Sequence, residues 1–296
     1  MPISSPAGTL MWLDEEEYSR WRRHYEGGHN MLRILLTNDD GIEAQGIRRL
    51  AEALLDLKNA EIYVVAPAEE RSGVGHGLTY RSALAPVSHP FYGLPVKAWA
   101  INGNPADCVK AACHLLFEDR RRPDIVFSGI NVGTNLGRDI YYSGTCSGAR
   151  EAVILGVPGV ALSYDNWYAQ DDFGQVGELI RPLLHMFCEQ AAEKKLPADV
   201  FFNINIPHLP PEQVKGIAPA ALALHHYEDK FDRQDEGYWL TREYPDGQQQ
   251  SDADDYYLVK NGYITVTPVH IDATDRSLLA DMAEWPLLKQ RGQGTS

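Results

Sequence analysis

The chain has 296 residues, enough for one large domain or two ordinary ones, and at 44% hydrophobic and 23% charged it has a globular composition. No apolar run approaches the length of a membrane span. A formal net charge of −14, with only two short basic clusters ("RWRRH" from Arg20 and "DRRRPD" from Asp119), argues against stable binding to nucleic acid.

The first thirty residues carry an acidic run and no sustained apolar segment, so they lack a secretory pattern and a cytoplasmic protein is expected. From Leu32 the chain alternates strands and helices. "LRILLT" is a buried strand, and Ile47, Leu50 and Leu54 then recur at helical spacing. "EIYVVAP" (Glu61 to Pro67) is the next strand, which makes a β-α-β unit and a parallel pair. "NPADCVKAACHLLFED" opens a helix with Asn104 as N-cap and Pro105 at its first position. "DIVFSG" (Asp124 to Gly129) and "GVALSY" from Gly159 are further strands, with a helix between them that ends at Gly156. A helix around Leu179 to Lys194 leads to the strand "VFFNINIP" (Val200 to Pro207). This rhythm predicts a parallel sheet covered by helices on both faces. Residues 208–260 show no helix periodicity; "GYITVTPVHID" is one late strand, with a helical tail from Asp272 to about Lys289. That part is expected to be an appendage, with Tyr227, Phe231, Tyr238 and Trp239 packing on another subunit or on their own domain.

Ligands of open parallel sheets bind beyond the carboxyl ends of the strands. Those ends supply Asn38-Asp39-Asp40-Gly41, then Arg71-Ser72-Gly73, then Ser128-Gly129-Ile130-Asn131. On a continuing strand two neighbouring Asp would point to opposite faces, but a turn at Gly41 lets both face one crevice. Carboxylates, a hydroxyl and an amide carbonyl suit a hard cation, Mg²⁺ or Mn²⁺, better than zinc. The four cysteines form no CxxC pair or zinc-like spacing and are expected to be reduced, buried thiols. In "SGINVGTNLGRDIYYSGTCSGAREA" the glycines allow close backbone approach, and Ser143-Gly144-Thr145 opens a helix whose N-terminus favours an anion. With Asn135, this stretch is a candidate phosphate cradle.

"ILLTNDDGIEAQGI", "VVAPAEERSG", "GNPADCV", "RPDIVFSGINVGTNLGRDIYYSGT", "FFNINIP" and "GYITVTP" together resemble the SurE family, the stationary-phase survival proteins, over roughly Met31 to Thr274. The resemblance implies a Rossmann-like α/β/α sandwich and a metal-dependent phosphatase acting on nucleoside monophosphates. It also implies one divalent metal per subunit (Mg²⁺, Mn²⁺ or Co²⁺), and homodimers or homotetramers built through an exchanged C-terminal segment. By motif position the metal ligands would be Asp39, Asp40, Ser72 and Asn131. Asn135, Ser143, Gly144 and Thr145 would line the phosphate site, and Asn38 and Gly41 would shape the acidic turn. The sequence departs from the family pattern at Cys146 and Ser147, where small apolar residues are usual, at Asn104, where Thr is usual, and with Arg150 close to the helix start.

The expected organisation is a non-core extension over 1–30, a catalytic core over 31–207 and an oligomerisation region over 208–296. The resemblance begins at Met31, and Glu26-Gly27-Gly28 can be encoded by a purine-rich run resembling a ribosome-binding site, so two readings of residues 1–30 stay open: a leader read through from an upstream ATG, with Met31 as the start, or a genuine appendage in which Glu16 and Arg20 pair at i,i+4 on a short surface helix. The expected reaction is 5′-nucleotidase hydrolysis of a phosphate monoester, with 3′-nucleotides and short polyphosphates as open further substrates. The metal would polarise a phosphoryl oxygen and lower the pKa of a water. One of Asp39 and Asp40 would orient or deprotonate that water while the other would hold the metal. Two rivals use the same residues: a non-catalytic nucleotide sensor, and a nucleotide-sugar transferase that would release nucleoside diphosphate.

Overall fold

The computed structural model describes residues 31–117, 121–167, 172–224, 228–235, 237–243 and 251–285, with the backbone of two short antiparallel strands before them, Pro2–Ser4 and Leu10–Trp12. Glu16 and Arg20, the pair of the alternative N-terminal helix, Tyr227 and the end of the helical tail lie outside the described residues. The alternating rhythm is present as β1 (Leu32–Thr37), α1 (Gln45–Leu54), β2 (Ala60–Pro67), a short β3 (Val87–Ser88), β4 (Lys97–Ile101) and α2 (Pro105–Ala111). It continues with β5 (Ile125–Val132), α3 (Gly144–Ile154), β6 (Gly159–Tyr164), α4 (Val176–Ala192) and β7 (Val200–Ile206). β1 pairs in parallel with both β2 and β5, β2 with β4, β5 with β6, and β6 with β7.

β1 shows why the strands are apolar without a break. Ile34 and Leu36 pack into one core with Ile47 and Leu50 of α1 and Ile180 and Leu184 of α4. Leu35 points to the opposite face, where it packs with Cys108 and Val109 of α2 and Ala152 of α3. A strand covered on both faces cannot alternate with polar residues, and each such side chain contributes roughly 1.5–3 kcal/mol by burial. The result is the expected α/β/α sandwich.

After β7 the chain forms β8 (Gly216–Pro219), β9 (Glu228–Gln234), β10 (Gly237–Glu243), α5 (Asp255–Lys260), β11 (Tyr263–His270) and α6 (Arg276–Met282). The nine-stranded sheet has the order β8-β11-β7-β6-β5-β1-β2-β4-β3. The late strand is therefore no appendage: β11 pairs antiparallel with β7, and β8 pairs parallel with β11 at the edge. α5 also falls where no helix was expected. Its six residues span less than two turns, too few for a 3.6-residue period to register. Among the described strands after β7, the β9–β10 hairpin stands apart from the main sheet as a two-stranded sheet of its own. No helix among the described residues is long and apolar enough to cross a membrane.

From β1 the chain builds outward through β2 and β4, then returns to β5 on the other side of β1 and builds outward through β6 and β7. The strand order reverses between β1 and β5, and a crevice opens at the carboxyl ends of such a pair.

Candidate active site at the switch point

The acidic turn leaves β1 at that reversal. Asn38 closes it, donating from Nδ2 to the Gly41 carbonyl at 2.8 Å, and Gly41 takes φ +101°, a left-handed conformation that a side chain would strain. Ile42 N donates to Pro67 O at 2.8 Å and Arg71 N to Asp39 O at 2.7 Å, so the turn is tied to the end of β2 and the loop that follows. Ser72 lies in that loop, and its hydroxyl donates to Glu70 Oε1 at 2.7 Å. With the proton directed to Glu70, the Ser72 lone pairs remain available to a cation.

On the other side of the reversal, β5 and β6 shift register between Ser128 and Asn131, an irregularity of the kind that re-aims a side chain. Asn131 donates from Nδ2 to the carbonyls of Val132 (2.9 Å) and Gly133 (2.8 Å). Both amide hydrogens are thereby used, and Oδ1 is left as the free acceptor.

The two acids are held differently. Asp39 is buried against the N-terminus of α3, where it accepts from the Thr145 hydroxyl and from the backbone of Thr145 and Gly144. Asp40 accepts from Val132 N at 3.3 Å. Burial raises the Asp39 pKa despite those donors. Burial, the Asp39 charge and a smaller effect of Glu70 push Asp40 up to about 7. A buried carboxylate beside a half-buried one is costly unless a cation joins them.

α3 can approach this closely because of Gly148. A Cβ there would fall 2.7 Å from Ser128 Oγ and 2.9 Å from Thr37 Cγ2. Ser143 caps the helix, its Oγ accepting from Cys146 N at 3.0 Å, and the helix ends two residues before Gly156 as expected. Asn135 is fixed by a buried amide network: its N donates to Asn205 Oδ1 and its Nδ2 to Ser163 Oγ, both at 2.8 Å.

These elements enclose a cavity of about 610 Å³, within the range of small-molecule sites. Of the expected residues, Asp39, Ser72, Asn131, Asn135 and Ser143 line it, and Asp40 lies behind, toward Val132. Thr145 departs from the expected role. It is fully buried with its hydroxyl on Asp39, so it supports the carboxylate rather than facing a ligand, and Gly144 lies beside it with its N–H on the same carboxylate. Asp139, Asp165, Trp167, Tyr256 and Lys260 also line the cavity and were missed. Asp165 and Trp167 follow the carboxyl end of β6, so the strand-end logic applied to the other strands would have found them. Tyr256 and Lys260 lie on α5, which gave no periodic signal.

Among the described residues lining the cavity, three carboxylates (Asp39, Asp139, Asp165) face one ammonium, Lys260. An anion entering it needs a cation. No group of three or more His, Cys, Asp or Glu among the described residues could hold a metal, and the expected set, with two carboxylates, a hydroxyl and an amide, is not of that type. Its all-oxygen donors fit a hard divalent ion. Beneath them, Asn38 Oδ1 and Ser128 Oγ are buried without a protein partner.

A Rossmann-like sheet with an acidic turn and a helix N-terminus meeting at its switch point defines a protein built to hold a small anionic ligand. The chain belongs to the family described as Survival protein SurE, which matches residues 34–229. The 5′-nucleotidase SurE of Brevibacillus brevis is 66% identical over 262 residues, covering 88% of this chain and 99% of that protein. That of Heliobacterium modesticaldum is 41% identical over 259 residues, covering 86% and 92%. The crystal structure of the SurE protein from Aquifex aeolicus aligns with a TM-score of 0.69 and 34% identity, over 85% of this chain and 98% of that one.

Proposed function

We propose that this chain is a 5′-nucleotidase: a phosphatase of the cytoplasm that hydrolyses nucleoside monophosphates with one divalent metal, Mg²⁺, Mn²⁺ or Co²⁺, per subunit. The carrying observation is the convergence of the Asp39-Asp40 turn, Ser72 and Asn131 around one anion-sized cavity that is itself acidic. Family membership and the names of close relatives support the activity. Four free, buried cysteines accord with a reducing compartment.

Asp39, Asp40, Ser72 and Asn131 would hold the metal. Once bound, the metal would supply charge neutralisation at the phosphoryl oxygens and a more acidic water. Thr145 and the first amides of α3 hold Asp39 in place. Ser143, whose Oγ already accepts from Cys146 N, keeps its O–H as a donor toward a phosphoryl oxygen. Asn135 uses one amide hydrogen on Ser163 and has a second for the ligand. Donors already fixed by the fold need no reorganisation as charge develops in the transition state.

The test is phosphate release from AMP by EDTA-treated protein on addition of each metal in turn. Metal-restored release of phosphate and adenosine is expected. Binding of AMP without release under every metal would favour the sensor instead. Residues 208–296 would build the homodimer or homotetramer, a proposal supported by the exposed Phe231, Tyr238, Trp239 and Leu240 of the β9–β10 hairpin.

A further inference from the structure

We propose that the cavity contains a nucleobase subsite whose platform is Trp167, so that this residue makes the enzyme prefer nucleotides to phosphate esters that lack a base. The inference rests on the nucleotidase assignment and adds what reads the rest of the substrate.

The chain leaves β6 in a tied turn. Asp165 N donates to Ile206 O at 2.9 Å and Asn166 N to Tyr164 O at 2.7 Å, and buried Asn166 also accepts from Gly133 N at 3.4 Å. This turn lays the indole of Trp167 on the backbone of Gly133. A Cβ on Gly133 would fall 2.2 Å from Cε2 and Cζ2 of the ring, so only glycine leaves room for it. Gly133 is two residues beyond Asn131 and receives one of its amide hydrogen bonds. The ring is thus anchored to the same backbone as the proposed metal ligand.

Trp167 is nevertheless 55% exposed, and it lines the cavity that also contains Asp39 and Ser143. A large apolar ring kept open beside three carboxylates serves no purpose for phosphate, which interacts with charge and N–H donors. It does suit a flat aromatic group carried by the same molecule. Elsewhere in the lining, Lys260 Nζ pairs with Asp165 Oδ2 at 3.1 Å, which ties α5 to the end of β6. Every base has a π face, so stacking gains affinity without selecting one base. Trp167 would therefore separate nucleotides from sugar phosphates and leave base preference broad.

The experiment compares kcat/KM for AMP with that for ribose 5-phosphate, in metal-loaded wild type, Trp167→Phe and Trp167→Ala. The AMP to ribose 5-phosphate ratio should fall roughly 5- to 150-fold in Trp167→Ala, the factor expected for losing one stacked base, and should be largely kept in Trp167→Phe. An unchanged ratio in Trp167→Ala, with both substrates still hydrolysed, overturns the subsite and leaves the nucleotidase assignment standing. Adenosine, which carries the base without the phosphate, gives a readout that needs neither metal nor turnover. Its affinity for wild type should be lost by a similar factor in Trp167→Ala, and equal adenosine affinity in the two proteins also overturns the subsite. Failure of wild type to hydrolyse either ester would instead count against the nucleotidase assignment, with the adenosine comparison still deciding the subsite.

Discussion

Asp40 carries the sharpest consequence at the scale of single residues. Its pKa rises from an ordinary 3.8 to about 7 in the metal-free protein, through burial first and then the charges of Asp39 and Glu70. Below about 3.8 the folded and unfolded chains both hold the proton, so the group costs no stability. Between that value and about 7 only the folded chain holds it, so stability falls as pH rises, and above 7 the penalty is complete. Asp40→Asn should therefore raise the melting temperature of metal-free protein at pH 8 by about 2–4 °C, the response of a chain this size to ~1 kcal/mol. At pH 4 it should change it little. A lower melting temperature at pH 8 would show that the carboxylate is not the burden its burial implies. Thr145→Val makes a second test. It removes a charge-assisted donor to Asp39 worth about 1.5–3 kcal/mol, so Mn²⁺ affinity should drop roughly tenfold or more and return in Thr145→Ser. Asp39, Asp40 and Asn131 were legible as oxygen donors at strand ends. The bond from Thr145 was not, because its two ends lie 106 residues apart and a hydroxyl opening a helix looks the same whichever carboxylate or phosphate it serves.

Two elements hold the site in register. α3 lies against the ends of β1 and β5 only because Gly148 has no side chain, and Gly148→Ala should push the helix N-terminus off Asp39. Overpacking of that kind costs about 1–3 kcal/mol, so both melting temperature and Mn²⁺ affinity should fall together. An unchanged metal affinity would separate the helix from the site. The loop carrying Ser72 is the second element. His76 Nε2 lies 2.8 Å from Glu151 Oε2 on α3, Lys110 Nζ lies 2.5 Å from Oε1, and Thr79 bonds to Asp107 at the start of α2. Burial alone would raise the Glu151 pKa, but the bonds from His76 and Lys110 outweigh it and leave the group lowered, a charged anchor for the loop. The core strands and helices were readable because each is long enough to repeat its period. α5 is too short for that, and the place of β11 inside the sheet depends on pairing with β7, which no local pattern announces.

At the scale of the whole molecule, the parallel sheet could be expected from the alternating rhythm and the candidate site from the strand ends, but the reversal of strand order that brings those ends together depends on long-range pairing. The C-terminal region is less uniform than its composition suggested. β8 and β11 extend the sheet and α5 lines the cavity, while the β9–β10 hairpin leaves Phe231, Tyr238, Trp239 and Leu240 exposed. A two-stranded hairpin is marginal by itself in water, which argues that a partner covers it. Removing residues 228–243 should give a smaller species by size-exclusion chromatography with light scattering, and a full chain that is already monomeric at micromolar concentration would refute the interface. The proposed metal site at the Asp39-Asp40 turn underlies the whole assignment. Its most direct test is calorimetric titration of Mn²⁺ into EDTA-treated wild type and Asp39→Asn at pH 8. One site per chain is predicted for wild type, weakened at least about 100-fold in the variant, whose buried amide cannot supply the charge a divalent ion requires. Equal Mn²⁺ binding in the two proteins would contradict the account.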